Sequence, residues 1–370
     1  MPPKVAVIYL SYYTPSSPEE IGRCLASLEH VDYPKECWRI IDVENPSPHG
    51  ASIPFLTSDW LPKAGKTLPE MELHPNVRDL GYAGANVVGV EHARAWGAEY
   101  VYLLNQDTAV DPGFLREAVA YAEMHPQDAV IQSRLMLLQD PEKLNSIGNA
   151  LQILGYGYAL GENLTPEAAA KIKDLPAGRQ APVFYASGAA VLVRMSALEK
   201  IGGIFDARYY MYHEDTDLSW RARLAGLGIG YADRSVVSHH YEFNRSMKKF
   251  YWMERNRWVC ALSNLKAKTL AVLLLPMLAA DAVTFLFALR SGWAGKKLRA
   301  WAFFWKPSTW AWIAERRALA AQIRTVPDRD LLRLMASTVE SAQVSPAWKR
   351  ALVDPLLAAF KALVLAIVRW

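Results

Sequence analysis

This sequence reads as an α/β chain, a mostly parallel sheet flanked by helices, followed by a helical C-terminal region. Short β-branched and aromatic runs alternate with stretches of helical period over roughly the first 125 residues, the pattern that right-handed crossovers convert into a parallel sheet. Polar turn formers follow the apolar runs directly, and from Met253 onward the period is helical. The 370 residues are 52% hydrophobic, ample for one large domain or two ordinary ones.

Lys4 to Tyr13 alternates as a strand, and Glu19 to Leu28 places Ile21, Leu25 and Leu28 on one helical face. Trp38 to Val43 is a second strand, ended by Glu44-Asn45-Pro46-Ser47-Pro48, where two prolines stop it and leave Glu44 on a loop. Met71 to Val77 is a third strand; Asp79-Leu80-Gly81-Tyr82-Ala83-Gly84-Ala85-Asn86 then opens a helix through Trp96. Tyr100 to Leu104 is a buried strand followed by Asn105-Gln106-Asp107, and Asp111-Pro112 caps the next helix with proline first. Ala129 to His240 forms a second half, strand-rich at first, with a Ser187-Gly188 pair and a polar cluster from His213 to Asp217. In parallel sheets ligands bind beyond the carboxyl ends of the strands, where Glu44 to Ser47 and Asn105 to Asp107 would lie.

Three constellations could carry chemistry. Asn105 and Asp107 set an amide oxygen and a carboxylate two residues apart on a turn, oxygens that hard divalent cations accept, although both residues are also ordinary turn formers. His213-Glu214-Asp215-Thr216-Asp217 begins a helix that closes at Gly226 and Gly228. One acid would serve as its cap and another would meet the helix dipole; three acids and a histidine exceed that need. His239-His240 ends an apolar strand, where an imidazole beside carboxylates can ligate a metal or simply be a satisfied structural group.

Together and in order, these pieces resemble the family-2 inverting glycosyltransferases of the GT-A (Rossmann-like) fold, particularly the bacterial rhamnosyltransferase-like branch. The stretches VAVIYLSYY with VENPS, DLGYAGAN, YVYLLNQDTAVDPGFL, and the block from Tyr185 through YHEDTDLSWR to the histidine pair carry the likeness over about residues 4–265. The resemblance implies transfer of a sugar, rhamnose or another hexose, from a nucleotide-sugar donor to an acceptor hydroxyl with help from Mg²⁺ or Mn²⁺. It assigns Ser11, Tyr13, Glu44, Asp79, Gly81, Asn86, Asn105 and Gln106 to the donor, and Ser187, Gly188 and His213 to the acceptor. Asp107, Asn105 and His239 would hold the metal, and Asp215, with Glu214 beside it, would be the general base. Asn105, Glu44 and Tyr13 depart from the family pattern, which bears on metal affinity and nucleotide choice. The expected division is a catalytic domain over 1–265, with a donor half to about 125 and an acceptor half from about 126, and a membrane-associating region over 266–370.

Charge distribution supports that last part. From Asn244 to Arg324 there are 15 Lys and Arg against three acids, and seven of the 13 tryptophans. Basic residues interleaved with Trp and long aliphatic runs suit an anionic membrane surface and argue against nucleic acid. The apolar run 269–289 has nearly the ~20 residues of a bilayer span, but Pro276, Asp281 and basic residues on both flanks favour helices lying on the leaflet. Alternatively, this run and the one at 351–368 pack on the catalytic domain or form the core of a homo-oligomer. Three scattered cysteines give no disulfide framework, and no export signal opens the sequence. A peripheral or monotopic position on the cytoplasmic face of the cell membrane follows, with a lipid-linked or surface-polysaccharide acceptor. Rival readings are a nucleotidyltransferase acting on sugar phosphates, whose Gly-rich triphosphate loop SYYTPSSPEE does not supply, and an inactive membrane-bound scaffold.

Overall fold

The computed structural model describes residues 1–171, 183–241, 249–339 and 352–370. The first residues of the basic segment, 244–248, and the first of the second apolar run, 351, lie outside the described residues. Four parallel strands form one side of the main sheet: β1 (Val5–Tyr12), β2 (Trp38–Asn45), β3 (Glu70–Pro75) and β4 (Tyr100–Asn105), in the order β3-β2-β1-β4. The crossovers contain α1 (Ser17–Leu28), one-turn α2 (Ile53–Phe55) and α3 (Gly81–Trp96). Both faces of β1 are covered: Val5, Val7 and Tyr9 pack with Ile21 and Leu25, while Ala6 and Ile8 pack with Ala83 and Val90. That is why this strand is almost continuously apolar.

The second half adds β5 (Thr108–Val110), α4 (Phe114–Met124), β6 (Asp128–Leu137), β7 (Asp140–Ser146), a small ribbon of β8 (Asn149–Leu151) and β9 (Gly157–Ala159), and α5 (Pro166–Ala170). It continues with β10 (Ala190–Arg194), α6 (Met195–Ile201), α7 (Glu214–Leu224) and β11 (Gly228–His239). The sheet extends as β4-β10-β6-β11-β5, with β7 on β6. Here it becomes mixed: β10 runs antiparallel to β4 and β6, and β11 parallel to β6.

Two boundaries differ from expectation. β2 continues through Glu44 and Asn45 because both are buried and locally satisfied: Glu44 accepts from the Ser52 and Ile53 amides, and Asn45 Oδ1 from Leu80 N at 3.1 Å. Asp111-Pro112 forms a turn ahead of α4 rather than its cap, with Asp111 Oδ1 accepting from Gly113 N at 2.9 Å.

The C-terminal helices are α8 (Phe250–Asn264), α9 (Ala267–Arg290), α10 (Ala294–Phe303), α11 (Pro307–Ile323), α12 (Asp328–Leu334) and α13 (Asp354–Ile367). α8 is keyed to the loop before α7, since Asn256 Nδ2 donates to the Tyr209, Met211 and Tyr212 carbonyls at 3.0, 2.8 and 2.7 Å. Among the described residues α9 alone is long and apolar enough to cross a membrane. Its mid-helix acid, Asp281, turns inward to Arg257, Lys297 and the Trp258 and Trp301 indoles. Leu275, Leu286, Phe287 and Leu289 face outward.

Candidate active site

β4 ends at Asn105, and after Gln106-Asp107 the chain returns as β5, antiparallel to the end of β11 with Thr108 opposite His239. This register sets Asp107 Oδ1 3.4 Å from His239 Nε2. On the other side of the ring, Nδ1 lies 2.9 Å from Asn145 Oδ1, a contact that orients the ring with Nε2 toward Asp107.

α7 brings its acids to the same place. His213, rather than an acid, occupies the cap position in a left-handed conformation, leaving Glu214, Asp215 and Asp217 in the first turn. Asp215 accepts from Gly188 N at 3.3 Å and Thr216 N at 2.6 Å. Asn105, Asp107, Ser187, Gly188, His213, Glu214, Asp215 and His239 all line one cavity of about 410 Å³, so the expected metal, acceptor and base residues meet.

Electrostatics separate the acids. Burial pushes the Asp215 carboxyl up to about 6, while the Gly188 and Thr216 amides pull it down. Glu214 is raised well above the carboxylate range by burial first and then by the charge of Asp215, and its Oε2 has no hydrogen-bond partner among the described residues. Burial also works to raise Asp217, but Arg316 and Arg221 hold it at about 2; their nitrogens lie 2.5 and 2.8 Å from its Oδ2. Burial and then the Arg257 charge push His213 down to about 3, leaving it neutral near pH 7. Asp215 is therefore an acid in the cavity able to exchange a proton near neutral pH.

The donor-side assignments are less uniform. None of Ser11, Tyr13, Glu44, Asp79, Gly81, Asn86 and Gln106 lines that cavity. Ser11 is fully buried and donates to Asp42. Gln106 spends its amide on Tyr12 N and O, Ser17 and Glu20, tying β1 to α1. These bonds tie β1 to β2 at Ser11 and the end of β1 to α1 at Gln106. Asn86 is buried, its amide nitrogen on the Tyr82 carbonyl, and Glu44 is held as described above. Tyr13 and Asp79 stay near the surface; Asp79 Oδ2 accepts from Tyr210 OH at 2.5 Å. Gly81 has φ +65°, and a Cβ there would meet the Tyr210 carbonyl at 2.4 Å, so only glycine permits this approach.

The sequence model of "Glycosyltransferase like family 2" matches residues 2–261. The chain belongs to this family. As a glycosyltransferase it is 28% identical over 203 residues to the N-acetylglucosaminyl-diphospho-decaprenol L-rhamnosyltransferase of Mycobacterium tuberculosis, covering 50% of this chain and 64% of that one. It is 29% identical over 192 residues to glucomannan 4-beta-mannosyltransferase 1 of Oryza sativa subsp. japonica, covering 51% and 33%. The match thus spans under two thirds of either curated relative. Mannosyltransferase PcManGT from Pyrobaculum calidifontis, solved with GDP-Man and Mn²⁺, superposes with a TM-score of 0.53 at 14% identity over 87% of this chain and 86% of that one. GalNAc-T7, solved with UDP, GalNAc and Mn²⁺, gives 0.52 at 13% identity over 70% and 47%. These likenesses are of fold, the GT-A fold.

Several residues that shape the glycosyltransferase's cavity escaped sequence reasoning. Tyr82 and Tyr185 line it from within motifs that had drawn attention for their glycines and serine; Tyr82 OH donates to the Gly188 carbonyl at 2.5 Å. Lys249 and Arg257 reach it from the basic segment that composition tied to a membrane. Asn145 carries no local signal, since only the pairing of β7 with β6 brings it to His239.

Proposed function

We propose that this glycosyltransferase is an inverting, metal-assisted hexosyltransferase that passes a sugar from a nucleotide-sugar to a hydroxyl of a lipid-linked or surface-polysaccharide acceptor. The observation that carries the proposal is the single cavity joining Asp107 and His239 to Asp215 and Glu214. The donor set fits a small divalent cation: the Asp107 carboxylate, the Asn105 amide oxygen, and an imidazole whose far nitrogen is fixed by Asn145. Mg²⁺ or Mn²⁺ held there would stabilise the charge growing on the leaving phosphate.

The protein's own groups do the rest. Asp215, anionic above about pH 6, takes the proton of the acceptor hydroxyl as that oxygen bonds to the anomeric carbon. The bond from that carbon to the donor's diphosphate breaks, and its electron pair leaves with the nucleoside diphosphate. One displacement inverts the centre and requires no covalent enzyme intermediate. Glu214, pushed well above the carboxylate range by burial and by its neighbour's charge, resists adding a second negative charge beside Asp215. Ser187, Gly188 and neutral His213 border the acceptor, while Tyr13, Glu44, Asp79, Gly81 and Asn86 shape the donor side.

Residues 1–265 form the catalytic part, with donor and acceptor halves meeting near 125, and 266–370 the membrane-associating part, seated on the cytoplasmic leaflet. The outward aliphatic face of α9 and the inward position of Asp281 support a helix lying on the membrane. The names of the mycobacterial and rice relatives support a cell-envelope or polysaccharide acceptor.

The test is calorimetric titration of UDP-, GDP- and dTDP-sugars with and without Mn²⁺, followed by NMR of the product's anomeric centre. Metal-dependent binding of one nucleotide class and a product of opposite anomeric configuration are expected. Retention of configuration would overturn the single-displacement reading.

A further inference from the structure

The outer edge of the parallel half carries a cluster that the sugar-transfer site does not use. β3 is the outermost strand there, and Glu72 and His74, two residues apart on it, point to the same face. Their strand partners are Ile41 and Val43, which pack with Ala83 and Val90 of α3. That face is therefore the one α3 covers, and His92 of α3 meets it: the His74 and His92 rings stack with centroids 3.6 Å apart. Among the described residues, Glu72, His74 and His92 are the one group of three or more His, Cys, Asp or Glu side chains whose ligand atoms all lie within 4.8 Å of one another. None of them lines the catalytic cavity.

The arrangement suits a metal ion. Glu72 Oε2 and His74 Nε2 are already 3.1 Å apart, close to the ~3.3 Å between two ligands that each stand about 2.0–2.1 Å from a tetrahedral Zn²⁺. The other carboxylate oxygen accepts from Arg39, whose guanidinium lies over the Trp96 ring of α3, 4.3 Å from its centroid. Arg39 thus orients the carboxylate while Oε2 stays with the histidines, the part that outer partners play for metal ligands. A turn of the His92 ring about its Cβ–Cγ bond completes the set. The side chain of His74 is 26% exposed and that of Glu72 36%, so an ion with its water can reach them. Two imidazoles, one carboxylate and an open fourth position favour Zn²⁺ over Mg²⁺, which prefers oxygen ligands alone.

We propose that Glu72, His74 and His92 form a second metal site, for Zn²⁺, that clamps the edge strand β3 to α3. The clamp braces the donor half from outside and takes no part in the reaction, so the proposal stands independently of the sugar-transfer reading. It is tested by calorimetric titration of the untagged full-length chain with Zn²⁺ and by the visible spectrum of its Co²⁺ form. Running both on Asp107→Asn as well as on the wild type sets aside the metal position at the cavity. One equivalent of Zn²⁺ should bind to Asp107→Asn with a tetrahedral Co²⁺ spectrum. Adding His74→Gln or His92→Gln should weaken that binding at least about tenfold and abolish the spectrum. Saturating Zn²⁺ should raise the melting temperature of the wild type by about 2 °C or more, and leave that of His92→Gln unmoved. His92→Cys should keep the ion and give the Co²⁺ form a thiolate charge-transfer band. Zn²⁺ affinity unchanged by both glutamine substitutions would overturn the proposal, as would the absence of saturable binding, which would leave Glu72 as an ion-pair partner of Arg39 alone. Circular dichroism checks the fold of the glutamine variants; if they fail to fold, the His92→Cys band decides, and its absence overturns the site.

Discussion

Asp215 and Asp217 stand two residues apart in the first turn of α7, both buried, yet they meet opposite fates. Asp217 faces the core, where Arg221, Arg316, Tyr209 and Asn264 give its carboxylate four partners from four elements. Asp215 faces the cavity, where neutral donors, the Gly188 and Thr216 amides and the Thr216 hydroxyl, offset its desolvation only in part. One is held at about 2 and the other pushed up to about 6. Sequence position and helix dipole are nearly shared; the difference lies in which side of the helix carries guanidinium groups. A carboxylate held by arginines maintains the fold, whereas one denied them is left able to take a proton.

The largest effect expected from breaking this contrast is in Asp215→Asn. Sugar transfer should fall by about 10²–10⁴-fold, while calorimetry finds donor affinity preserved. The same substitution should raise the melting temperature at neutral pH. A carboxyl whose folded value is raised contributes stability that is present below its ordinary value and lost as pH rises through about 6, so removing it relieves about 1–3 kcal/mol. Asp217→Ala should do the reverse, costing about 3–5 kcal/mol in chemical denaturation because it leaves Arg221 and Arg316 buried without their carboxylate. Its contribution has the opposite pH sign: full above the ordinary value of 3.8, and lost as pH falls through about 2.

A pH profile sharpens the contrast further. Turnover should drop about tenfold per unit below pH 6 as Asp215 takes up a proton. In that range Asp217 stays ionised, so thermal scans at pH 5 should show a folded protein. The smallest effect belongs to Glu214→Gln, since burial and the charge of Asp215 already favour the neutral form of this carboxyl; transfer should stay within about fivefold of wild type. A loss as deep as that of Asp215→Asn would transfer the proton-accepting role to Glu214.

How much of this was legible in the sequence follows from how local each signal is. The parallel half of the sheet was, because each strand and the helix after it carry their own period, and the acid-rich turn announced itself by exceeding what a cap requires. Motif order identified Asp107, Asp215 and His239 as partners, although nothing in their spacing gives the 3.4 Å between Asp107 and His239. What stayed hidden depends on contacts made far along the chain. Asp217 looked like a member of the reactive cluster until Arg316, 99 residues later, proved to neutralise it. The resemblance assigned Ser11 and Gln106 to the donor, and nothing local in the sequence announced that Ser11 would be buried against Asp42 or that Gln106 would hydrogen-bond the Tyr12 backbone. Asp281 seemed to spoil an apolar helix, and only the fold of α8 to α10 reveals the buried Arg257 and Lys297 that accept it.

The central claim is that Asp107 grips a cation and Asp215 accepts a proton within one cavity. It is tested most directly by Mn²⁺-dependent nucleotide-sugar binding to the wild type, Asp107→Asn and Asp215→Asn. Metal-dependent binding should disappear in Asp107→Asn and survive in the catalytically silent Asp215→Asn. Survival in the first variant together with loss in the second would contradict the account.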